Sequence, residues 1–166
     1  MLENNPQTLV STSWLLKHLN DPDLRIIDAS WYLPKMNRNG FKEYKDNHIP
    51  GARFFDIDEI CDLQNNLPHM APTPQKFVSR MKAMGIGDGH QIVIYDGHGI
   101  FSSARVWWMF RLFGKKNVAV LDGGLPKWLE AKNPTDNKSP VLRDRHITVQ
   151  FLSLIHISEP TRQFRI

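Results

Sequence analysis

The stretch that decides the fold spans residues 91–113 and reads Gln91-Ile-Val-Ile-Tyr-Asp-Gly-His-Gly-Ile-Phe-Ser-Ser-Ala-Arg-Val-Trp-Trp-Met-Phe-Arg-Leu-Phe113. It begins with a short apolar, β-branched run that is typical of a strand buried on both faces. Two glycines then allow a tight turn, and a helix begins for which Ser102 or Ser103 is the predicted N-cap. A strand, a glycine loop and a helix N-terminus together point backbone N–H groups into the loop. Many α/β enzymes place their chemistry there.

Further apolar runs alternate with helical segments along the chain. The strand signals are residues 9–10, 24–29, 54–57 and 117–121, and helical spacing recurs over residues 14–19, 41–44, 74–84 and 125–129. Strands that alternate with helices predict an α/β fold, in which a parallel sheet carries helices on both faces. Residues 58–74 are polar and contain several prolines, so we expect an excursion outside the core.

Composition narrows the class of protein. A chain of 166 residues with 41% hydrophobic residues fits a single domain with its own core. The net charge of +4 comes from scattered lysines and arginines rather than a basic stripe, so we expect a small anionic substrate and no nucleic acid. The one cysteine, Cys61, indicates a reducing compartment such as the cytoplasm. We find no clear signal or transit peptide and no bilayer-length apolar run, so we expect no membrane association, although a mitochondrial location stays open for a eukaryotic source.

The end of the chain differs from what precedes it. Residues 132–145 are linker-like, and residues 154–162 resemble the translation of a sequencing adapter. We therefore predict a domain over residues 8–148 and a non-native or disordered tail over residues 149–166. Whether the natural chain continues beyond this point stays open.

Four motifs carry a resemblance to a known family. They are His48-Ile-Pro-Gly-Ala-Arg53, Tyr95-Asp-Gly97, Arg105-Val-Trp-Trp-Met-Phe-Arg111 and Leu121-Asp-Gly-Gly-Leu-Pro-Lys-Trp128. Together they resemble the N-terminal domain of the two-domain rhodaneses, the thiosulfate and 3-mercaptopyruvate sulfurtransferases. The resemblance implies a rhodanese-like fold, with a five-stranded parallel sheet flanked by helices. We expect neither a metal nor a cofactor, because the histidine spacing gives no metal site and there is no second cysteine.

The resemblance also implies a particular chemistry. In this family a cysteine thiolate, placed directly after a strand, takes a sulfur atom from the donor as a persulfide and passes it to an acceptor. In two-domain members this cysteine belongs to the C-terminal repeat. The equivalent position here holds Asp96, which cannot form a persulfide. Asp96, Gly97, His98 and Gly99 are therefore predicted to form a degenerate active-site loop, and this chain is predicted to hold no catalytic residue.

Other residues are candidates for lesser roles. Resemblance to the mercaptopyruvate-type members implies that Asp62 and His69 bind an anionic donor, although His69 as a loop anchor beside a solvated Asp62 is an equal alternative. We expect His48 to anchor its turn and His98 to face solvent. Cys61 lies among acidic residues, which raise the pKa of a thiol, so we expect it to be inert.

The helix after the loop is unusually apolar. Trp107, Trp108 and Phe110 belong to four consecutive large apolar residues, which one helix face cannot bury. Either this helix is wholly interior, or these three residues form an interdomain surface for a missing C-terminal catalytic domain, as the family suggests. Arg105 and Arg111 are expected to pair with carboxylates, with Asp28 or Asp96 as partners for Arg105.

Two functions follow from these expectations. The first is the N-terminal half of a sulfurtransferase that moves sulfur from 3-mercaptopyruvate or thiosulfate to a thiophilic acceptor. The alternative is a stand-alone, catalytically inactive rhodanese-like module with a binding or regulatory role. Phosphatase-like chemistry on the related fold also needs a loop cysteine and is not expected.

Overall fold

The computed structural model describes residues 3–150, which form one sheet with helices packed on both faces. The strands are β1 (Leu9–Val10), β2 (Leu24–Asp28), β3 (Arg53–Phe54), β4 (Gln91–Tyr95) and β5 (Val118–Leu121). All pairs are parallel, and the order across the sheet is β1-β5-β4-β2-β3. The predicted α/β fold with five parallel strands is therefore confirmed.

Within residues 3–150, four helices and one short turn lie between the strands, and a fifth helix follows β5. The helices are α1 (Thr12–His18), α2 (Gly40–Asp46), α3 (Pro74–Ala83), α4 (Ser102–Leu112) and α5 (Gly124–Glu130), and a 3₁₀ turn spans Pro34–Met36. Side-chain caps start α1 and α3, because Ser11 Oγ accepts the N–H of Trp14 and Thr73 Oγ1 accepts that of Lys76. No helix within residues 3–150 is long and apolar enough to cross a bilayer.

The central strand β4 divides the core into two layers. Ile92 and Ile94 contribute to a layer that contains residues of α3 and α4, whereas Val93 and Tyr95 contribute to a layer that contains Leu15 of α1 and Trp128 of α5. This alternation is the period-two pattern of a strand that is buried on both faces. Both layers are closed by large side chains that solvent does not reach, including Phe77, Phe110, Phe113, Leu15 and Trp128.

Strand β3 is shorter than the sequence predicted. The expected strand over residues 54–57 ends at Phe54, because the partner strand β2 ends at Asp28, which pairs with Phe54. Phe55 and Ile57 are buried nevertheless and belong to the core. The apolar run was therefore a correct signal of burial and a wrong signal of strand length.

The segment after α5 packs against the domain without regular secondary structure. His48 and Asp136 form an isolated bridge, Ile147 is buried, and the N–H of Gln150 donates to the carbonyl of Phe113 at 3.0 Å. Residues 149 and 150, which the sequence assigned to the tail, thus contact the domain. The rest of the predicted tail, residues 151–166, lies outside the described residues.

Candidate functional site

The candidate site lies at the carboxyl ends of β2 and β4. These two strands end in register, with Asp28 opposite Tyr95. The hydroxyl of Ser102 at the start of α4 donates to the carbonyl of Ala29 at 2.6 Å, which holds the loop after β4 beside the loop after β2. Parallel strands collect their following loops at one edge, which is where such sheets place ligands.

The loop after β4 is organised around the carboxylate of Asp96. Oδ1 accepts the backbone N–H groups of His98 at 2.8 Å and Gly99 at 2.9 Å, and Oδ2 accepts those of Phe101 and Ser103, both at 2.8 Å. Asp96 is fully buried. The prediction that Ser102 or Ser103 caps α4 is wrong, because Phe101 occupies the N-cap position and its side chain makes no capping hydrogen bond. The Asp96 carboxylate fills the anion cradle of the loop and caps the helix at the same time.

The protonation of Asp96 follows from these contacts. Burial alone would raise the pKa of its carboxyl, but the N–H groups of Ser103, Phe101 and Gly99 lower that pKa below its ordinary value. Asp96 is therefore ionised near neutral pH. These four backbone N–H groups are therefore already bonded to a buried anion of the same chain.

The loop glycines fit this arrangement closely. A Cβ on Gly97 would lie 1.8 Å from the Tyr32 hydroxyl oxygen, so no other residue fits without moving that side chain. Gly99 adopts a φ of 129°, which side chains rarely tolerate. His98 is exposed, as expected, and its ring packs 4.9 Å from Tyr32 and 4.8 Å from Phe101.

A second buried acid lies directly beneath the loop. Asp28 Oδ1 accepts the N–H of Ser30 at 2.9 Å and its hydroxyl at 2.6 Å. Burial raises the pKa of Asp28 to about 6 although these donors oppose the shift, and the Asp96 charge adds to the rise. Two neighbouring carboxyl groups therefore have opposite pKa shifts, because one receives N–H donors on both oxygens and the other does not.

His69 belongs to this edge through a partner that the sequence did not identify. Its Nε2 lies 2.7 Å from Oδ1 of Asp58, which also accepts the indole N–H of Trp31 at 3.0 Å. The rings of Trp31 and His69 meet edge to face at 5.1 Å. Asp58 follows the short strand β3 by four residues, so the rule that parallel strands collect their loops at one edge was the signal available for it.

Asp62 has a different position from the one that its proposed role suggested. Its Oδ1 accepts the N–H of Gln64, and its own N–H donates to the carbonyl of Met70 at 2.8 Å, which closes the excursion on itself. The structure thus brings His69 together with Asp58 rather than with Asp62. Binding of an anionic sulfur donor by Asp62 and His69 stays a prediction.

Cys61 and His48 have structural surroundings. Cys61 is buried, and its thiol donates to the carbonyl of Asp58 at 3.4 Å. Burial raises the pKa of this thiol more than the neighbouring acids do. His48 is buried as well, with Nδ1 2.7 Å from the carbonyl of Tyr44 and Nε2 2.8 Å from that of Lys138, so its predicted role as a turn anchor is confirmed.

The expected ion pairs of α4 are absent from the described part of the chain. The buried Nε of Arg105 has no hydrogen-bond partner within residues 3–150, and the predicted partners Asp96 and Asp28 accept backbone N–H groups and the Ser30 hydroxyl instead. Arg111 instead donates to the carbonyl of Gln7 at 3.3 Å and stacks on Trp107. Both predictions of carboxylate partners were wrong.

The predicted interdomain surface needs correction too. Phe110 is fully buried in the core, and the indole N–H of Trp107 donates to the carbonyl of Val118 at 2.8 Å, so only Trp108, at 42% exposure, faces solvent freely. The alternative of a wholly interior helix does not describe α4 either, because Trp107 meets β5 and the chain start while Trp108 is exposed. Several apolar side chains are exposed instead on the excursion and the Asp96 loop: Leu63, Leu67, Met70, Ile100 and Phe101.

Across residues 3–150, no group of three or more His, Cys, Asp or Glu side chains is arranged to hold a metal ion. At this edge the His69–Asp58 pair can form hydrogen bonds, and the exposed loop residues can make apolar contacts.

Comparison with known proteins places this geometry in a family. The family model "Rhodanese-like domain" matches residues 11–131. Over 122 residues the chain is 54% identical to thiosulfate/3-mercaptopyruvate sulfurtransferase 1, mitochondrial, of Arabidopsis thaliana, a match that covers 74% of this chain and 32% of that protein. It is 43% identical over 141 residues to 3-mercaptopyruvate sulfurtransferase of Rattus norvegicus, which covers 81% of this chain and 48% of the relative.

A solved structure agrees with these relatives. The crystal structure of SseA from Escherichia coli, described as a 3-mercaptopyruvate sulfotransferase, superposes with a TM-score of 0.82 at 36% identity and covers 87% of this chain and 55% of that one. The chain thus spans between about a third and a half of the length of these curated relatives. The chain belongs to the rhodanese-like domain family, and its relatives are thiosulfate and 3-mercaptopyruvate sulfurtransferases.

Proposed function

We propose that this chain is the non-nucleophilic N-terminal half of a two-domain sulfurtransferase whose persulfide-forming cysteine lies in a C-terminal rhodanese domain. The observation that supports the proposal is the buried Asp96 carboxylate directly after β4, which accepts four backbone N–H groups of the loop where the family resemblance predicts the nucleophile. The partial coverage of the relatives supports it. Alone, the chain transfers no sulfur, because neither Asp96 nor the buried Cys61 supplies a thiolate.

The function of this half is to cover the active cleft and to contribute to donor binding. The His69–Asp58 pair is the group best suited to contact an anionic donor such as 3-mercaptopyruvate or thiosulfate, since Asp58 orients the imidazole from one side and leaves the other ring nitrogen for a ligand. The exposed apolar residues of the neighbouring loops, with Ile100 and Phe101 at 51% and 48% exposure, form a surface for the second domain.

A fusion of this chain to the C-terminal half of the Arabidopsis relative tests the donor-binding role. We expect the fusion to transfer sulfur to cyanide. In the fusion, His69→Ala and Asp58→Asn should each raise KM for 3-mercaptopyruvate about tenfold or more, because a hydrogen bond to a charged ligand is lost. The matched control is Asp62→Asn, which removes a carboxylate of the same excursion. An unchanged KM in both variants, or a larger effect from Asp62→Asn, would contradict the assignment.

A stand-alone binding or regulatory module is the second candidate. The completeness of the core favours it, because Phe110 is buried and, of the three residues proposed for an interdomain surface, only Trp108 is exposed. Under this alternative the fusion would show no activity, and the chain alone would be a stable monomer. The lone, buried Cys61 fits a reducing compartment such as the cytoplasm for either function, whereas one relative is mitochondrial.

A further inference from the structure

Four arginines line one cavity that shares no residue with the Asp96 loop or with the His69–Asp58 pair. The cavity has a volume of about 200 Å³ and lies where α3 ends beside β2 and β3, and its lining residues are Arg25, Arg53, Gly85, Val141, Arg143 and Arg145. Nothing in the sulfur-transfer chemistry proposed above uses this place.

Two of the arginines are held in position by backbone carbonyls. Arg25 Nε donates to Gly85 O at 3.1 Å and its Nη1 to Pro22 O at 2.8 Å. Arg53 Nε donates to Met84 O at 2.6 Å and its Nη1 to Gly51 O at 3.1 Å. Each guanidinium is therefore fixed with its Nη2 group left over. Preorganised guanidinium groups lose little entropy when they bind a ligand.

The other two arginines come from the segment after α5. Arg143 and Arg145 are exposed, and among residues 3–150 their side chains make no hydrogen bond or ion pair. The backbone of Arg143 lies over Gly85, where a Cβ would be 3.2 Å from the Arg143 carbonyl oxygen. The segment thus brings Arg143 and Arg145 into the lining of the same cavity as Arg25 and Arg53.

The four positive charges lack a carboxylate partner in the described chain. Burial first, and then the charges of Arg25 and Arg145, lower the pKa of Arg53 to about 10. Burial and Arg145 likewise lower the pKa of Arg25, opposed only by Asp23, with which it forms no ion pair. Asp144, between the two rim arginines in sequence, lines a different groove against α3. An anion in the cavity would relieve this repulsion.

We propose that this cavity binds a dianionic tetrahedral oxyanion, the chemical class of phosphate and sulfate. Guanidinium groups bind such oxyanions with two parallel hydrogen bonds, and four groups converging on 200 Å³ offer donors on several sides. The ligand is either a free ion or the phosphoryl group of a larger small molecule. Competition by a nucleoside monophosphate against inorganic phosphate distinguishes the two sources.

Titration of the full chain with phosphate and with sulfate, in chloride buffer at constant ionic strength, tests the proposal. We expect saturable binding by calorimetry, together with amide NMR shifts concentrated at Gly85 and Arg143. The double variant Arg143→Ala/Arg145→Ala should weaken binding at least about tenfold, because hydrogen bonds to charged groups are lost. The replaced side chains are exposed, unpaired and close to like charges, so the melting temperature should not fall.

Two further variants keep the test decisive. Lys17→Ala/Lys42→Ala removes the same net charge from exposed positions on other elements and should leave the affinity unchanged. Arg143→Lys/Arg145→Lys retains the charge without the planar fork and should bind at an intermediate strength. Non-saturable binding, or equal weakening by the lysine-to-alanine and arginine-to-alanine pairs, would overturn the proposal and leave a diffuse charge effect.

Discussion

Replacement of Asp96 by asparagine tests the account of the loop. Asparagine has nearly the same shape, but it has no charge and offers one acceptor oxygen in place of two. If its oxygen faces the N–H groups of His98 and Gly99, its amide must face those of Phe101 and Ser103, which are donors as well. Two charge-assisted hydrogen bonds are lost and two weakened.

The size of the effect follows from these contacts. A hydrogen bond to a charged group contributes about 1.5–3 kcal/mol, so the loss of two gives about 3–6 kcal/mol, and because such bonds share one group we expect the lower end, about 3 kcal/mol. Asp96 is fully buried, so solvent does not compensate for the loss. The sign with pH follows as well. The pKa of Asp96 is lowered in the fold, so its contribution is present above the unfolded-state pKa and is lost as pH falls through the folded-state pKa.

Urea unfolding at neutral pH measures this difference. The matched control is Asp21→Asn, an exposed aspartate whose Oδ1 accepts one backbone N–H, from Asp23 at 3.0 Å, and it should cost less than about 1 kcal/mol. A free energy of unfolding for Asp96→Asn within about 1 kcal/mol of the parent would refute the reasoning, because it would mean that the four N–H contacts contribute little.

Three other predictions follow from the same packing. Burial raises the pKa of Asp28 to about 6, so the stability contributed by its protonated form is fully present below the unfolded-state pKa of 3.8 and is lost as pH rises through about 6. In urea titrations, Asp28→Asn should therefore raise the free energy of unfolding by up to about 3 kcal/mol at pH 8 and by little at pH 4. In the same assay, Phe110→Ala should lower the free energy of unfolding by about 3–5 kcal/mol and Trp108→Ala by about 1 kcal/mol or less. Equal losses would contradict the burial of Phe110 and would favour the predicted interdomain surface. Gly97→Ala should lower the melting temperature, and Tyr32→Phe should restore part of it by removing the oxygen that lies 1.8 Å from the new Cβ; an additive double variant would contradict this contact.

The sequence predicted the strand and helix framework well because periodicity reports burial. The run that became β4 alternates between two core layers, and this is the pattern that a parallel sheet imposes on its central strand. The same logic failed at residues 54–57, where a buried run was taken for a strand although the partner strand had ended. Burial can be read from composition, whereas ladder length depends on the neighbouring strand.

The candidate site was predicted only in part because its contacts are set by tertiary structure. The family resemblance singled out the position of Asp96, but its contacts at the start of α4 depend on the loop folding back over its carboxylate. His69 was singled out with Asp62, while the fold supplies Asp58 from eleven residues away. The four-arginine cavity joins segments that are up to 120 residues apart in sequence, so no local motif indicates it.

The central claim is that this chain has the architecture of the family without its nucleophile, and a sulfur-transfer assay tests it most directly. The purified chain is given 3-mercaptopyruvate or thiosulfate, and the transfer of sulfur to cyanide is measured beside the Cys61→Ser variant. The account predicts no turnover above the buffer rate for either protein. Turnover that persists in Cys61→Ser would contradict it, because sulfur would then be carried by a chain that has no cysteine.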